Sequence, residues 1–272
     1  MHIIETAHLA MPKLGFGTWA LKGAECARAV AEAIGLGYRH IDTAEMYDNE
    51  EPVGQGIRDS GTARESLFVT TKVWWTNLAD PASALAASLK RMRLDYVDLF
   101  LVHWPNPAIP LASTLAAMEV LKERGLARAI GVANFPAALL EEAVATGAPI
   151  ACNQIEYHVM LSQEPVLRAA RAHDIAVTAY SPLGKGGLAD DPVLAEIGRR
   201  HGATGAQVAL AWLLEQEGVA AIPKSGRLEN MRANLAARDL RLTNEDRAAI
   251  AALPKNRRFV NPAWSPAWDQ AA

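Results

Sequence analysis

Four residues could do chemistry together: Asp42, Tyr47, Lys72 and His103. Asp42 stands inside the apolar run YRHIDTA, where an unpaired carboxylate would cost several kcal/mol. Lys72 ends a second such run and is the natural partner. Tyr47 follows just beyond the first run, so a nearby ammonium is expected to favour its phenolate and lower its pKa from about 10. His103, at the end of a third run, could share a proton or orient a carbonyl. Taken singly, these are an ion pair, a surface tyrosine and a core histidine. Together at successive run ends they form an acid aimed at a carbonyl oxygen, with no nucleophile and no metal. Such a set needs a hydride from outside, which implies a nicotinamide cofactor.

The elements that must position them alternate. Apolar, β-branched runs at 14–19, 38–44, 66–73, 98–104, 128–134, 151–157, 176–182 and 219–225 read as strands, each followed by a helical pattern. The helix after the second, near 52–60, is the weakest; that at 111–125 closes with a basic last turn and a glycine. Eight such units in ~250 residues predict an α/β fold, a (β/α)8 TIM barrel, as one domain over 1–272. A doubly wound open sheet is the rival, weakened because no G-x-G-x-x-G follows the first strand. Residues 1–13 read as a hairpin plugging the barrel bottom. Thr243 reads as the N-cap of an extra C-terminal helix at 243–254. The Pro- and Trp-rich tail from 257 has no clear periodicity.

Composition limits the alternatives. The chain has 272 residues, half of them hydrophobic and 21 % charged, with a net charge of −3. It carries no basic run of nucleic-acid type, no 18-residue apolar run and no leader pattern, so the expected setting is the cytoplasm, without nucleic acid or membrane. Cys26 and Cys152 read as unpaired buried residues, and no motif suggests a metal.

At the strand ends the chain resembles the aldo-keto reductase superfamily over nearly its whole length. GFGTW, HIDTAEMYDNEEPVG, TTKVW, LFLVHWP, IGVANF, NQIEYH, AYSPLG and IPKS are similar to that family's motifs, in its order. The short HWPNPAIPLA segment and short tail resemble bacterial members of the 2,5-diketo-gluconate reductase type. The resemblance implies NAD(P)H-dependent reduction of aldehydes and ketones, with Tyr47 as general acid, Lys72 paired with Asp42, and His103 orienting the carbonyl. It implies NADPH held by Asn134 and Gln154 at the carboxamide and by Tyr180 stacked on the nicotinamide. Ser181, Leu183, Gly184 and Gly186 would cover the pyrophosphate. Lys224 and Ser225 would meet the 2′-phosphate, with Asn234 near the adenine. A monomer acting on a small carbonyl substrate is expected.

Two positions depart from the family. Ala133 replaces a serine, removing one hydroxyl near the carboxamide. Asn230 stands where many members carry arginine, the better phosphate fork; Arg227 could substitute, and some NADH use is expected. Trp19, Met46, Trp74, Trp104, Trp264 and Trp268 are the pocket candidates. Of the adjacent Trp74 and Trp75, only one can face the mouth if the strand persists, and Trp74 shares the side of Lys72. The alternatives are a cofactor-sensing regulatory protein of the same fold and a Schiff-base lyase using Lys72.

Overall fold

The computed structural model describes residues 2–269. Its main sheet has eight parallel strands in sequential neighbour order. These are β3 (Phe16–Gly17), β4 (His40–Asp42), β5 (Phe68–Val73), β6 (Val97–Val102), β7 (Ala127–Ala133), β8 (Ile150–Glu156), β9 (Ala176–Tyr180) and β10 (Val219–Ala221). The first and last strands meet through a parallel bridge between Leu14 and Ala221. The Gly15 amide donates to Ala221 O at 2.9 Å, and the Ala221 amide to Lys13 O at 2.8 Å. The (β/α)8 barrel is therefore closed, and the open-sheet alternative is excluded.

Strand periodicity separates two cores. Along β5, Val69 and Val73 join the apolar layer beneath the helices, while Phe68 packs in the barrel interior. On β6, Phe100 and Val102 face outward, and Leu99 and Leu101 inward. With a period of two, Thr70 and Lys72 follow Phe68 inward, and Asp42 follows His40 inward past the outward Ile41. The interior is otherwise filled with small residues, Ala129, Ala133, Ala151, Ala176 and Ala220. At Gly131 on β7 a side chain would strike Cys152 O, so only glycine allows β8 this close beside the register shift between Ile130 and Val132.

The N-terminal hairpin pairs β1 (Ile3–Glu5) with β2 (Ala10–Pro12), and Ile4 and Met11 enter the interior cluster, as a plug should. Thr243 caps α10 (Asn244–Ala251) in a reciprocal box with Asp246. The helix expected near 52–60 runs over α2 (Glu50–Asp59), starting earlier because Glu50 and Glu51 suit a first turn. Two helices, α7 (Pro192–His201) and α8 (Gly205–Leu214), fill the β9–β10 connection where the alternation gives one. Gly202, in the left-handed region at φ 62°, stops the first, and a Thr204–Gln207 box starts the second.

Most paired strands are shorter than the apolar runs, because the run ends peel away into loops. No helix among the described residues is long and apolar enough to cross a membrane, and no group of three or more His, Cys, Asp or Glu among them could hold a metal. Cys26 and Cys152 are free and buried, and burial pushes both thiols up to about 12. Neither is expected to take up iodoacetamide at neutral pH in the folded protein, while both should after unfolding; intact mass measures this.

Candidate active site

The ends of β4, β5 and β6 bring the four polar residues together. Lys72 Nζ donates to Asp42 Oδ1 at 2.6 Å, to Thr43 O at 2.7 Å and to Tyr47 Oη at 3.3 Å. All three ammonium hydrogens thus have acceptors, in a position with no solvent exposure. The other carboxylate oxygen of Asp42 accepts from Gln154 Nε2 at 2.7 Å. Tyr47 lies on a 3-10 turn, Glu45–Tyr47, directly after β4. Its ring meets Trp19 at 4.9 Å and His103 at 5.5 Å, both edge-on.

The expected direction of the Tyr47 shift is wrong. Burial, and then the Asp42 carboxylate, raise the phenol well above its usual 10. Lys72 is already committed to Asp42, so the pair offers little net positive charge to a phenolate. Burial also draws the Lys72 ammonium below 10.5 against the opposing pull of Asp42. His103 lies well below 6.5, first through burial and then through Lys72, so its imidazole is neutral. Its Nδ1 is buried without a partner among the described residues.

Beyond this cluster, Asn134 at the end of β7 has a left-handed backbone, φ 64°. Its amide donates to His103 O at 2.8 Å and accepts from Tyr180 Oη at 2.7 Å, leaving one N–H and one lone pair. The loop after β9 turns through positive φ at Ser181, Gly184, Lys185 and Gly186, beside a half-buried Leu183. After β10, the parallel neighbour of β9, Ser225 and Asn234 are buried, while Lys224 and Arg227 are exposed. Neither cation has an ion pair among the described residues. Asn230 is exposed in the first turn of α9 (Leu228–Ala236), one turn from Arg227. The side-chain amides of Asn134 and Gln154, a phenol, a glycine-lined turn and two cations without an ion pair among the described residues suit an extended dinucleotide.

The tryptophans form a rim. β5 stops at Val73, so Trp74 and Trp75 occupy a turn instead of a strand, and both contact Trp264, at 5.9 Å each. Of the two, Trp74, the one expected on the side of Lys72, is the one whose ring also meets His103, at 5.4 Å. Trp104 is buried and meets Trp268 at 6.0 Å. Met46 is half-buried on the turn of Tyr47. Sequence reasoning assigned no role to Glu45 or Glu156. Glu45 accepts from the Trp74 amide at 2.8 Å and Asn77 Nδ2 at 2.7 Å, fixing the tryptophan turn. Glu156, wholly buried, accepts from the amides of Phe259 at 2.6 Å and Val260 at 2.9 Å. Its strand-end position was the only signal in the sequence.

A closed barrel with an aspartate, tyrosine, lysine and histidine converging at its strand ends defines a class of carbonyl-reducing oxidoreductases. The chain belongs to the aldo/keto reductase family, whose pattern it matches over residues 13–255. It is 45 % identical to methylglyoxal reductase DkgB of Salmonella typhimurium over 96 % of this chain and all of that protein. It is 42 % identical to a 9,11-endoperoxide prostaglandin H2 reductase of Trypanosoma cruzi, over 92 % and 90 % of the two chains. A solved structure provisionally named 2,5-diketo-D-gluconic acid reductase B superposes with a TM-score of 0.96 at 41 % identity, covering 99 % of this chain and 98 % of that one. Members of this family generally use nicotinamide cofactors.

Proposed function

We propose that the enzyme reduces small aldehydes and ketones, reactive dicarbonyls among them, with Tyr47 giving the proton and His103 orienting the carbonyl oxygen. The observation that carries this is the bond from Lys72 to Tyr47. An ammonium can only donate, so the phenol oxygen must accept. The O–H of Tyr47 is then free to turn toward a substrate oxygen. A neutral His103 can donate one hydrogen bond to that same oxygen and cannot compete for its proton. Asp42 holds the lysine, and Gln154 holds Asp42, so the phenol has a fixed support. Bound reduced nicotinamide would supply the hydride. The wall of Trp19, Trp74 and Trp264 suits an apolar substrate body with one polar corner.

The residues toward the cofactor are Asn134, Gln154 and Tyr180 at the nicotinamide end, and Ser181, Leu183, Gly184 and Gly186 along the pyrophosphate. Lys224, Ser225, Arg227 and Asn234 lie at the adenosine end. Two free cations favour NADPH. Asn230 loosens that preference, so Asn230→Arg is expected to raise the NADPH-to-NADH ratio of kcat/KM by roughly tenfold, about one charge-assisted hydrogen bond. An unchanged ratio would mean that Lys224 and Arg227 already suffice. The reading also has the enzyme acting as a cytoplasmic monomer, which equilibrium sedimentation and cell fractionation would check.

The deciding assay follows cofactor absorbance with NADPH and NADH separately, over glyoxals, aromatic aldehydes, sugar-derived keto acids and simple ketones. Turnover of small dicarbonyls supports the substrate class. Turnover only of bulky aromatic carbonyls would sink it.

A further inference from the structure

We propose that Phe259 is a positioning residue that couples the Gly184–Gly187 loop to the tryptophan wall, so that filling the cofactor site orders the substrate site. The proposal rests on the reading that this loop covers the cofactor.

Phe259 touches the loop directly and is joined to the tryptophan wall through its neighbours in the chain. On one side its ring presses on Gly184, where an added Cβ would sit 2.7 Å from Cε2. It joins the apolar cluster of Leu188, Leu194 and Val208 behind that loop. Lys185 Nζ reaches across the same gap to Phe259 O at 3.1 Å. Gly184 and Lys185 both have positive φ, so the loop's shape at the contact is set by backbone that most residues avoid. On the other side, the neighbouring Arg258 guanidinium lies 3.9 Å above the Trp268 ring, and Trp268 packs on Trp104 beside His103. Five residues after Phe259, Trp264 covers Trp74 and Trp75.

The segment is pinned to the barrel at its two ends. Glu156 holds the amides of Phe259 and Val260, and Asp269 accepts from the Ala137 amide at 2.9 Å. Between these pins the stretch that carries Trp264 makes hydrogen bonds within itself, Trp268 Nε1 to Asn261 Oδ1 at 2.8 Å and the Ser265 amide to Pro262 O at 3.0 Å, and meets the barrel through ring packing, which can tighten or slacken. A loop drawn down on a dinucleotide would load the ring of Phe259, and the tail beyond it would lose freedom. Ordering by one ligand then lowers the ordering cost of the next, which appears as positive coupling. Phe259 is only half-buried and lies outside the barrel interior, so its loss should leave the fold intact.

Hydrogen exchange of the amides from Val260 to Asp269 in the full-length protein tests this, with and without NADP+. At ~100 times its Kd, NADP+ is expected to slow wild-type tail exchange by roughly tenfold. In Phe259→Ala, NADP+ should still bind, as tryptophan fluorescence reports, but tail exchange should no longer respond. The KM for methylglyoxal should rise with kcat little changed, and Phe259→Tyr should restore both. A merely structural role would slow or speed tail exchange equally with and without NADP+. If NADP+ binds the wild type and leaves its tail unchanged, the coupling is wrong while the cofactor reading stands. If NADP+ does not bind at all, both fall.

Discussion

Tyr47→Phe is expected to lose about 10²–10⁴-fold in kcat, the range of a positioned acid, while binding cofactor as tightly as the wild type. The substitution removes one oxygen from a ring that stays packed between Trp19 and His103. It leaves the Lys72–Asp42 bond in place. Retained turnover would take the proton-donor role from Tyr47. A pH profile sharpens the test. Because burial and Asp42 raise the phenol, it stays protonated through neutral and alkaline pH. The kcat/KM of carbonyl reduction should therefore show no falling limb from Tyr47 below about pH 10, the ordinary tyrosine range. A limb near pH 8 that disappears in Tyr47→Phe would show that another influence, such as bound cofactor, reverses the shift.

Lys72→Met is expected to abolish turnover and also to destabilise the fold. It leaves Asp42 buried with only Gln154 as a donor, and breaking a buried pair costs about 3–5 kcal/mol. For a chain of this size that is roughly 6–20 °C in Tm. The informative partner is the double variant Asp42→Leu with Lys72→Met, which replaces the pair with apolar side chains of similar volume. It should recover most of the lost stability and none of the turnover, because a packed apolar pair can match a buried ion pair in energy. A double variant as unstable as the single would mean that the pair holds the barrel together. Measurable turnover in either would remove Lys72 from the mechanism.

The barrel was legible because its signals are local and periodic. The alternation of Phe68, Thr70 and Lys72 on one face with Val69 and Val73 on the other is plain in the order of the residues. That alternation also aims Lys72 inward toward Asp42. Three things could not be read. The direction of the Tyr47 shift depends on how deeply its hydroxyl lies and on which charge is already paired, and neither leaves a mark in sequence. The fate of Trp74 and Trp75 turned on where β5 stops, which Glu45 decides from 29 residues away. The tail has no period to read, because what fastens it is its backbone: any residues at 259 and 260 with amide hydrogens could bind Glu156.

The seam between β3 and β10 has a consequence in time. Lys13 Nζ crosses it to Leu214 O and Gln216 O, bonds that close over 201 and 203 residues. At ~5–20 residues per second, a ribosome exposes the first half of that staple roughly 10–40 s before making the second. Throughout that interval β3 can pair only with β4, and its other edge waits. A chaperone that shields nascent strand edges has its natural target on this side of the growing sheet.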